Sequence, residues 1–375
     1  MRVRKLDTAR SRDIHTFIRF PFELYRDCPR WVPPLIPDMR LALDRARYPF
    51  YRHSEAAFYV VETERHTLGR IAVLDNGPYN EFHHSKAAFF YYLDVVEDVQ
   101  AARSLFGAAF DWAKSRGLDT VYGPKGLLRA DGNGLLVEGF EHRPAVGVPY
   151  NYPYYDALVR DSGFEKELDY LSGHLTASYQ FPEHIHEIAD RVKERRGLRV
   201  RSFRSKKELR TIAPLVHRVY QEAFVQVWGY YPVTEDEIRA LIERILPIAD
   251  PRLIKLVVKG DEAVGFIIAF PDVSAAIQRI KGRLWPFGWI QLLVEARRTK
   301  RVDFNGVGVI PRYQGAGANA VLYSELAKTF AHGKFRFEHA DFVQVAENNV
   351  ESLGDAASVL RLPWYKRHRI YRKAL

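Results

Sequence analysis

One order of elements occurs twice along this chain, and few folds accommodate such a pattern. Ala56 to Glu62, a polar turn, and Leu68 to Leu74 read as a hairpin, with apolar residues alternating or clustered and Gly69 after the turn. Ala87 to Val95 reads as a third strand. Asp98 to Arg116 carries Ala102, Leu105, Phe106, Ala109, Phe110 and Ala113 at helical spacing, and Gly117 ends it. Thr120 to Gly123 follows as a short strand, Pro124 to Pro153 as a loop rich in Gly and Pro, and Tyr154 to Ser162 as a helix stopped by Gly163-Phe164. The second half repeats the order. Leu253 to Val258 and Ala263 to Ala269 form a hairpin, Pro271 to Thr299 is an insertion, and Val302 to Val309 is a strand. Ala318 to Phe330 is then a helix, Phe342 to Val345 a strand, Val350 to Ser358 a helix and Tyr365 to Tyr371 a last strand. This repetition predicts an α/β chain of two duplicated units, 1–180 and 198–375, rather than one continuous sheet. Phe181 to Gly197, a charged helical segment, is the expected join.

Composition narrows the class. The chain has 375 residues, with 56 Lys+Arg against 46 Asp+Glu, hence a formal net charge of +10. That excess implies anionic company: a phosphorylated cofactor, an acidic lipid surface or nucleic acid. Cys28 is the single cysteine, which excludes a disulfide framework and any multi-thiolate metal site. His83-His84 and His184-x-His186 lack a positioned third ligand, so no metal is expected. Neither an apolar leader nor a run of about 20 apolar residues occurs, which predicts a cytoplasmic protein.

The chemistry-bearing motif is Arg312-Tyr313-Gln314-Gly315-Ala316-Gly317-Ala318, between the strand ending at Val309 and the helix beginning at Ala318. Glycines there let the backbone turn and leave its N–H groups bare, and the helix N-terminus adds partial positive charge. A pyrophosphate would be held by such a cradle. The dinucleotide fingerprint is excluded by the missing third glycine, and a P-loop by the absence of Gly-Lys-Ser/Thr. Arg129 to Gly134 also matches a glycine pattern, but it follows the wrong strand and no helix starts after it.

Arg312-x-x-Gly315-x-Gly317 resembles the hallmark of the GNAT superfamily of acyl-CoA-dependent N-acyltransferases, Gln/Arg-x-x-Gly-x-Gly/Ala at this junction. Asn349 is similar to the family's late Asn, and Asn151, Tyr155, Leu158 and Gly163-Phe164 resemble its closing element in the first half. The resemblance implies two tandem GNAT-like domains, each a mixed, mostly antiparallel sheet flanked by helices. It implies acyl-CoA or acetyl-CoA as co-substrate, held by Val307, Val309, Arg312, Tyr313, Gln314, Gly315, Ala316, Gly317, Ala318 and Asn349. In the first half the matching position reads Val96-Glu97-Asp98-Val99-Gln100, with two carboxylates and no glycine, so that unit is expected to have lost the cofactor.

In this family an amine attacks the thioester directly, which needs a base for the ammonium proton and a donor for the oxyanion. The resemblance places the donor at a backbone N–H near Gly308 or Val309, and Val309 and Asn349 are candidate catalytic positions. Glu222 and Glu235, with Glu237, flank the aromatic stretch Trp228 to Pro232 and are candidate bases. No Tyr follows Asn349 closely, so the family's usual thiolate acid is missing there. His339 and Asp341 flank a strand and read as surface polar residues rather than a relay. Cys28, near Tyr25 and Trp31, reads as a packed side chain, and Arg30 to Pro37 as a rigid packed arm.

The insertion bears on the substrate. Ile277 to Val302 holds Arg279, Lys281, Arg283, Arg297, Arg298, Lys300 and Arg301 around the apolar centre Leu284 to Val294, with Glu295 as its one acid. Such a segment fits either an anionic membrane surface, at the inner face of the cell membrane, or a buried hairpin. Three functions are consistent with the whole. One is acyl transfer, with a long-chain donor, to a primary amine such as a sphingoid base. Another is acetyl transfer to a soluble amine or protein lysine. Nucleic-acid binding ranks last, because no recognition helix or aromatic RNP-type motif accompanies the charge.

Overall fold

The computed structural model describes residues 1–128, 131–332 and 337–375, so Arg129 and Ala130 of the alternative glycine pattern lie outside it. Its first elements are β1 (Arg2–Lys5), α1 (Ser11–Leu24), α2 (Ile36–Leu43), β2 (Glu55–Glu62), β3 (Thr67–Asp75), α3 (Gly77–His83) and β4 (Ala87–Val95). There follow α4 (Val99–Ser115), β5 (Thr120–Gly123), β6 (Leu135–Glu138), α5 (Tyr155–Asp161), β7 (Glu165–Thr176), α6 (Glu183–Arg196) and β8 (Arg199–Ser202). Then come α7 (Lys206–Arg210), α8 (Ala213–Ala223), α9 (Glu235–Ile245), β9 (Ile254–Lys259), β10 (Glu262–Pro271), α10 (Ser274–Arg279) and α11 (Gly288–Arg298). The chain closes with β11 (Arg301–Val309), α12 (Ala318–His332), β12 (His339–Ala346), α13 (Val350–Ser358) and β13 (Trp364–Ala374).

These elements form two compact units. The first comprises Met1–Leu171, Ser274–Trp289 and Lys366–Leu375; the second comprises Ser172–Val273 and Ile290–Tyr365. A division at 180 and 198 assigns Ser274–Trp289 and Lys366–Leu375 to the second half, yet they pack within the first unit. Segment α10 is held there by the arm: Gln278 donates to the Trp31 carbonyl at 2.9 Å, and the Ile36 N–H to Gly282 at 2.9 Å. The expected join, α6, instead packs on α12 inside the second unit, with His186 Nδ1 2.7 Å from Ser324 Oγ and Lys193 bonded to Glu325 at 3.0 Å.

Each unit builds the same ladder. In the first, β1-β2-β3-β4 are antiparallel neighbours and β5 joins β4 in parallel, with β13 and β7 beyond it. In the second, β8-β9-β10-β11 are antiparallel and β12 joins β11 in parallel. The helical spacing of Asp98 to Arg116 is realised in α4, whose Ala101, Ala102, Leu105, Phe106, Ala109 and Ala113 are buried against Val61, Ile71, Val73, Phe90 and Val95. In the second unit, Val321, Leu322 and Leu326 of α12 are buried, as are Val257, Val264, Ile267 and Val302 of its strands.

Three segments differ from the sequence reading. The 124–153 stretch contains β6, which pairs with β13; four residues between glycines are too few to show alternation. The insertion is two helices, not a hairpin. Strand β7 has no counterpart in the repeat read from sequence, because Glu165, Lys166, Glu167 and Asp169 crowd charge into its first half and mask its apolar residues.

Candidate functional site

The site grows from a change of pairing on β11. Its parallel pairing with β12 runs from Arg301↔His339 to Phe304↔Phe342 and stops there. On the other edge, Gly306 faces Ile268 and Phe304 faces Ala269, so Asn305 is an extra residue, a β-bulge that bends the strand. Beyond this point β11 keeps β10 as its partner and parts from β12, leaving a gap between the two strands.

Ladder parity decides which groups face that gap. Ile310 donates to Val264 at 3.0 Å, so Ile310/Val264 is a hydrogen-bonded pair, and so are Gly308/Phe266 and Gly306/Ile268. The backbone N–H and C=O groups of Val307 and Val309 therefore point away from β10, into the gap. Gly308, one of the two expected oxyanion donors, is excluded: its N–H is spent on Phe266. Gln314 closes the top of the gap by donating Nε2 to the Val309 carbonyl at 2.9 Å.

The Arg312–Ala318 loop forms the end wall. Gly315 and Gly317 have φ of +64° and +86°, conformations that a side chain disfavours. A Cβ on Gly315 would meet nothing within 4 Å, whereas one on Gly317 would lie 2.6 Å from Val192 Cγ2 of α6. The N–H groups of Gly315 and Gly317 donate to no acceptor among the described residues, and α12 begins directly after them. Arg312 is exposed, pairs with Glu262, and lies 5.5 Å from the Tyr313 ring; Tyr313 is buried. Across the gap, Asn349 caps α13 by accepting the Ser352 N–H at 3.0 Å.

The two faces of the gap differ. Phe304 stacks on Phe342 at 4.3 Å and meets Phe330 of α12, so α12 covers one face. Phe266, Ile268 and Phe270 share the other face of β10, which places Gly308, Gly306 and Asp303, their partners, on that face. There Phe224, at the end of α8, stacks on Phe266 at 6.1 Å and on Tyr220 at 5.0 Å. A Cβ on Gly308 would lie 2.6 Å from Phe224, so glycine is what lets this aromatic wall press on the strand.

The candidate bases are placed differently from one another. Glu222 is exposed near the end of α8, and Glu235 opens α9 with an ion pair to Arg239 at 2.8 Å. Glu237 is buried, but its carboxylate is engaged: it accepts the Thr234 N–H at 2.7 Å and the Tyr231 hydroxyl at 3.0 Å. Asp341, read from sequence as a surface residue, is instead buried on the same face as Asp303. It accepts from His174 Nδ1 at 2.8 Å, Tyr365 at 2.9 Å and Arg301 at 3.1 Å. Burial alone would raise its pKa, but His174, Arg301 and Tyr365 outweigh it and hold the carboxyl at about 2. Nothing in a His-x-Asp spacing signals this.

The first unit carries the same gap with its contents replaced. Three residues separate β4 from α4, against eight between β11 and α12, so no glycine loop fits. Asp98 caps α4, accepting the Gln100 and Ala101 N–H groups at 2.8 and 3.0 Å, and so occupies the donors a phosphate would need. Val95 matches Val309 in register and parity. Its N–H donates to Tyr155 Oη at 2.9 Å, its carbonyl accepts from Tyr154 Oη at 2.8 Å, and Tyr25 bonds Tyr155 at 2.9 Å. In this half the groups matching Val309 and the start of α12 are thus bonded within the protein, by three tyrosines and by Asp98.

Among the described residues, no group of three His, Cys, Asp or Glu side chains could hold a metal ion. None of their helices is long and apolar enough to cross a membrane.

No family model matches the chain. It is 27% identical over 373 residues to Protein YghO of Escherichia coli K12, covering 97% of this chain and 93% of that one. It is 26% identical over 381 residues to the bacterial ceramide synthase of Caulobacter vibrioides, covering 97% and 95%. Among solved structures, a tandem GNAT protein from the clavulanic acid biosynthesis pathway aligns with all of this chain and 98% of its own, at a TM-score of 0.54 and 12% identity. The repeated antiparallel ladder with its parallel fifth strand and that alignment agree: in fold, this chain is a tandem GNAT-like protein.

Proposed function

We propose that the second unit is an acyl-CoA-dependent N-acyltransferase that transfers a long-chain acyl group to a primary amine of the sphingoid-base type, giving a ceramide-type amide. The observation that carries this reading is the β11–β12 gap, open along the backbone of Val307 and Val309 and walled by the Gly315–Gly317 cradle. The CoA pyrophosphate meets the free N–H groups of the cradle and the N-terminus of α12. Arg312, being exposed, exchanges Glu262 for a phosphate oxygen. The pantetheine arm spans about 12 bonds, or about 14 Å when extended. Laid along β11 at about 3.3 Å per residue, it brings the thioester to the level of the Asn305 bulge, with its amides beside Val307 and Val309. In this arrangement Val309 is a pantetheine partner, and the backbone at the bulge faces the developing oxyanion.

The acceptor enters from the face opposite α12. Its wall of Tyr220, Phe224 and Phe266 favours an apolar chain carrying the amine. The relative named as a bacterial ceramide synthase, aligned over nearly the whole chain, supports the same substrate class. An anionic membrane surface is the source of such a substrate. In the first unit Trp285, Phe287 and Trp289 are 84%, 67% and 49% exposed, beside exposed Arg279, Lys281 and Arg283. Interfacial rings flanked by cations are suited to an acidic headgroup region.

The test offers the purified protein acetyl-CoA and long-chain acyl-CoA with sphingoid bases, soluble amines and lysine peptides, and reads products by mass spectrometry. An N-acyl sphingoid amide with release of CoA is expected. Acetylation of soluble amines alone would replace this reading with the short-chain one.

A further inference from the structure

A chain of polar side chains crosses the acceptor face of the second unit beside the gap. Asp341 pairs in register with Asp303, one position before Phe304/Phe342, the last pair before the strands part. Asp303 is fully buried, Asp341 is 2% exposed, and Arg301 and His339 stand two residues further back on the same face. A fold needing only stability would fill this position with apolar residues, because burying charges is costly even when they are paired. Such clusters are where function is found.

The geometry assigns protonation along the chain. Asp341 is ionised and can only accept, so His174 Nδ1, 2.8 Å away, carries a proton and donates it. His174 Nε2 lies 3.2 Å from His339 Nδ1. The relay takes the arrangement in which this Nε2 is bare and His339 donates to it from Nδ1, which leaves His339 Nε2 as an unprotonated acceptor. His174 and His339 stack at 5.2 Å, and His339 is half-buried, not enclosed. The result is a neutral imidazole whose far nitrogen is basic and whose near nitrogen is backed, through a second imidazole, by a carboxylate.

We propose that His339 is the general base of the acyl transfer, with His174 and Asp341 as its positioning residues. The proposal rests on the N-acyltransferase reading above. The acceptor's ammonium gives one proton to His339 Nε2 through a short chain of waters, since His339 lies about 10 Å along the strand from the start of the gap, farther than one water bridges. The freed amine attacks the thioester carbon, forming the C–N bond as the carbonyl electrons move to oxygen. Collapse breaks the C–S bond and the electron pair leaves on sulfur. The second amine proton passes to that thiolate, giving the amide and free CoA, and His339 returns its proton to solvent.

The charged surroundings set the pH range. Burial and then Arg301 lower the His339 pKa, as does His174 whenever it carries a charge, against smaller opposing contributions from Asp341 and Glu338. Arg301 is itself held by Asp341 and lies 3.8 Å from Asp272, Glu338 is paired with Lys300, and Tyr365 bonds Asp341. His339 is therefore a neutral, competent base at pH 7, and the acid limb of kcat/KM falls below the usual imidazole value of about 6.5.

The experiment measures CoA release against pH for the native protein, His339→Gln and His174→Gln, with CoA affinity measured in parallel. His339→Gln is expected to lower kcat by at least about 100-fold, to abolish the acid limb and to leave CoA affinity unchanged. His174→Gln is expected to shift that limb and lower kcat less. Because Asp341→Asn removes a buried partner of Arg301, it is used only with its fold verified by circular dichroism. If the native protein is active and His339→Gln keeps its rate within twofold with the same pH profile, the relay is refuted. If the native protein makes no amide with any amine, the N-acyltransferase reading falls first and the relay falls with it.

Discussion

Replacing Gly315 by Glu probes the cradle with little structural disturbance. An added Cβ meets nothing within 4 Å, so the fold bears only the strain of a side chain at φ +64°, about 1–2 kcal/mol. The carboxylate, however, projects where the pyrophosphate would lie. At about 5 Å, between the dielectric of water and that of a protein surface, each phosphate charge is repelled by about 1–3 kcal/mol. Two such charges weaken CoA binding by about 2–6 kcal/mol, or roughly 30- to 20,000-fold in Kd, and salt reduces the effect. Gly315→Gln presents the same bulk without charge and is expected to cost about tenfold or less. Calorimetric titration of CoA into the three proteins separates the contributions. Equal Kd for the Glu and Gln variants would remove the electrostatic argument, and native affinity in Gly315→Glu would remove the site.

Gly317→Ala should instead damage the fold, since its Cβ lies 2.6 Å from Val192 Cγ2 and φ is +86°; urea denaturation should show a loss of about 2–4 kcal/mol, partly restored by adding Val192→Ala. Acid stability follows from Asp341 in the second unit and Asp169 in the first. For Asp169, burial raises the pKa but Arg369, Lys166 and Arg367 outweigh it, holding it at about 2 as for Asp341. Folded values below the unfolded value of about 3.9 mean that each group's contribution, on the order of 2 kcal/mol, is complete above pH 4 and lost as pH falls toward 2. Denaturation midpoints across that range should drop steeply, and Asp169→Asn should flatten the curve. Replacing Trp285, Phe287 and Trp289 together by Ser should abolish low-salt co-sedimentation with anionic vesicles; a native protein that stays in the supernatant would exclude the membrane surface.

Much of this architecture is legible in the sequence wherever a short-range pattern carries it. The helical spacing from Ala102 to Ala113 declares α4, and Gly315 and Gly317 declare the cradle because two positive-φ turns before a helix need glycine. The duplicated order of elements is readable for the same reason. What escapes is whatever depends on partners distant in sequence. Tyr25, Val95 and Tyr155 meet only in the folded unit, so the filled gap of the first half has no local signature. Asn305 becomes a bulge through its register with β10, and the burial of Asp341 depends on His174 and Tyr365, 167 and 24 residues away. Glu222 and Glu235 look like candidate bases because they flank an aromatic stretch, but their side chains face solvent or Arg239.

Hydrogen exchange of the backbone amides, followed by mass spectrometry with and without CoA, tests most directly whether the second unit alone holds the co-substrate. The N–H groups of Val307, Val309, Gly315 and Gly317 are predicted to gain protection when CoA is added. Those from Val95 to Ala101, already bonded to Tyr155 and Asp98 at three positions, are predicted to stay unchanged. Protection at Val95 to Ala101, or none across 307–317, would contradict the account.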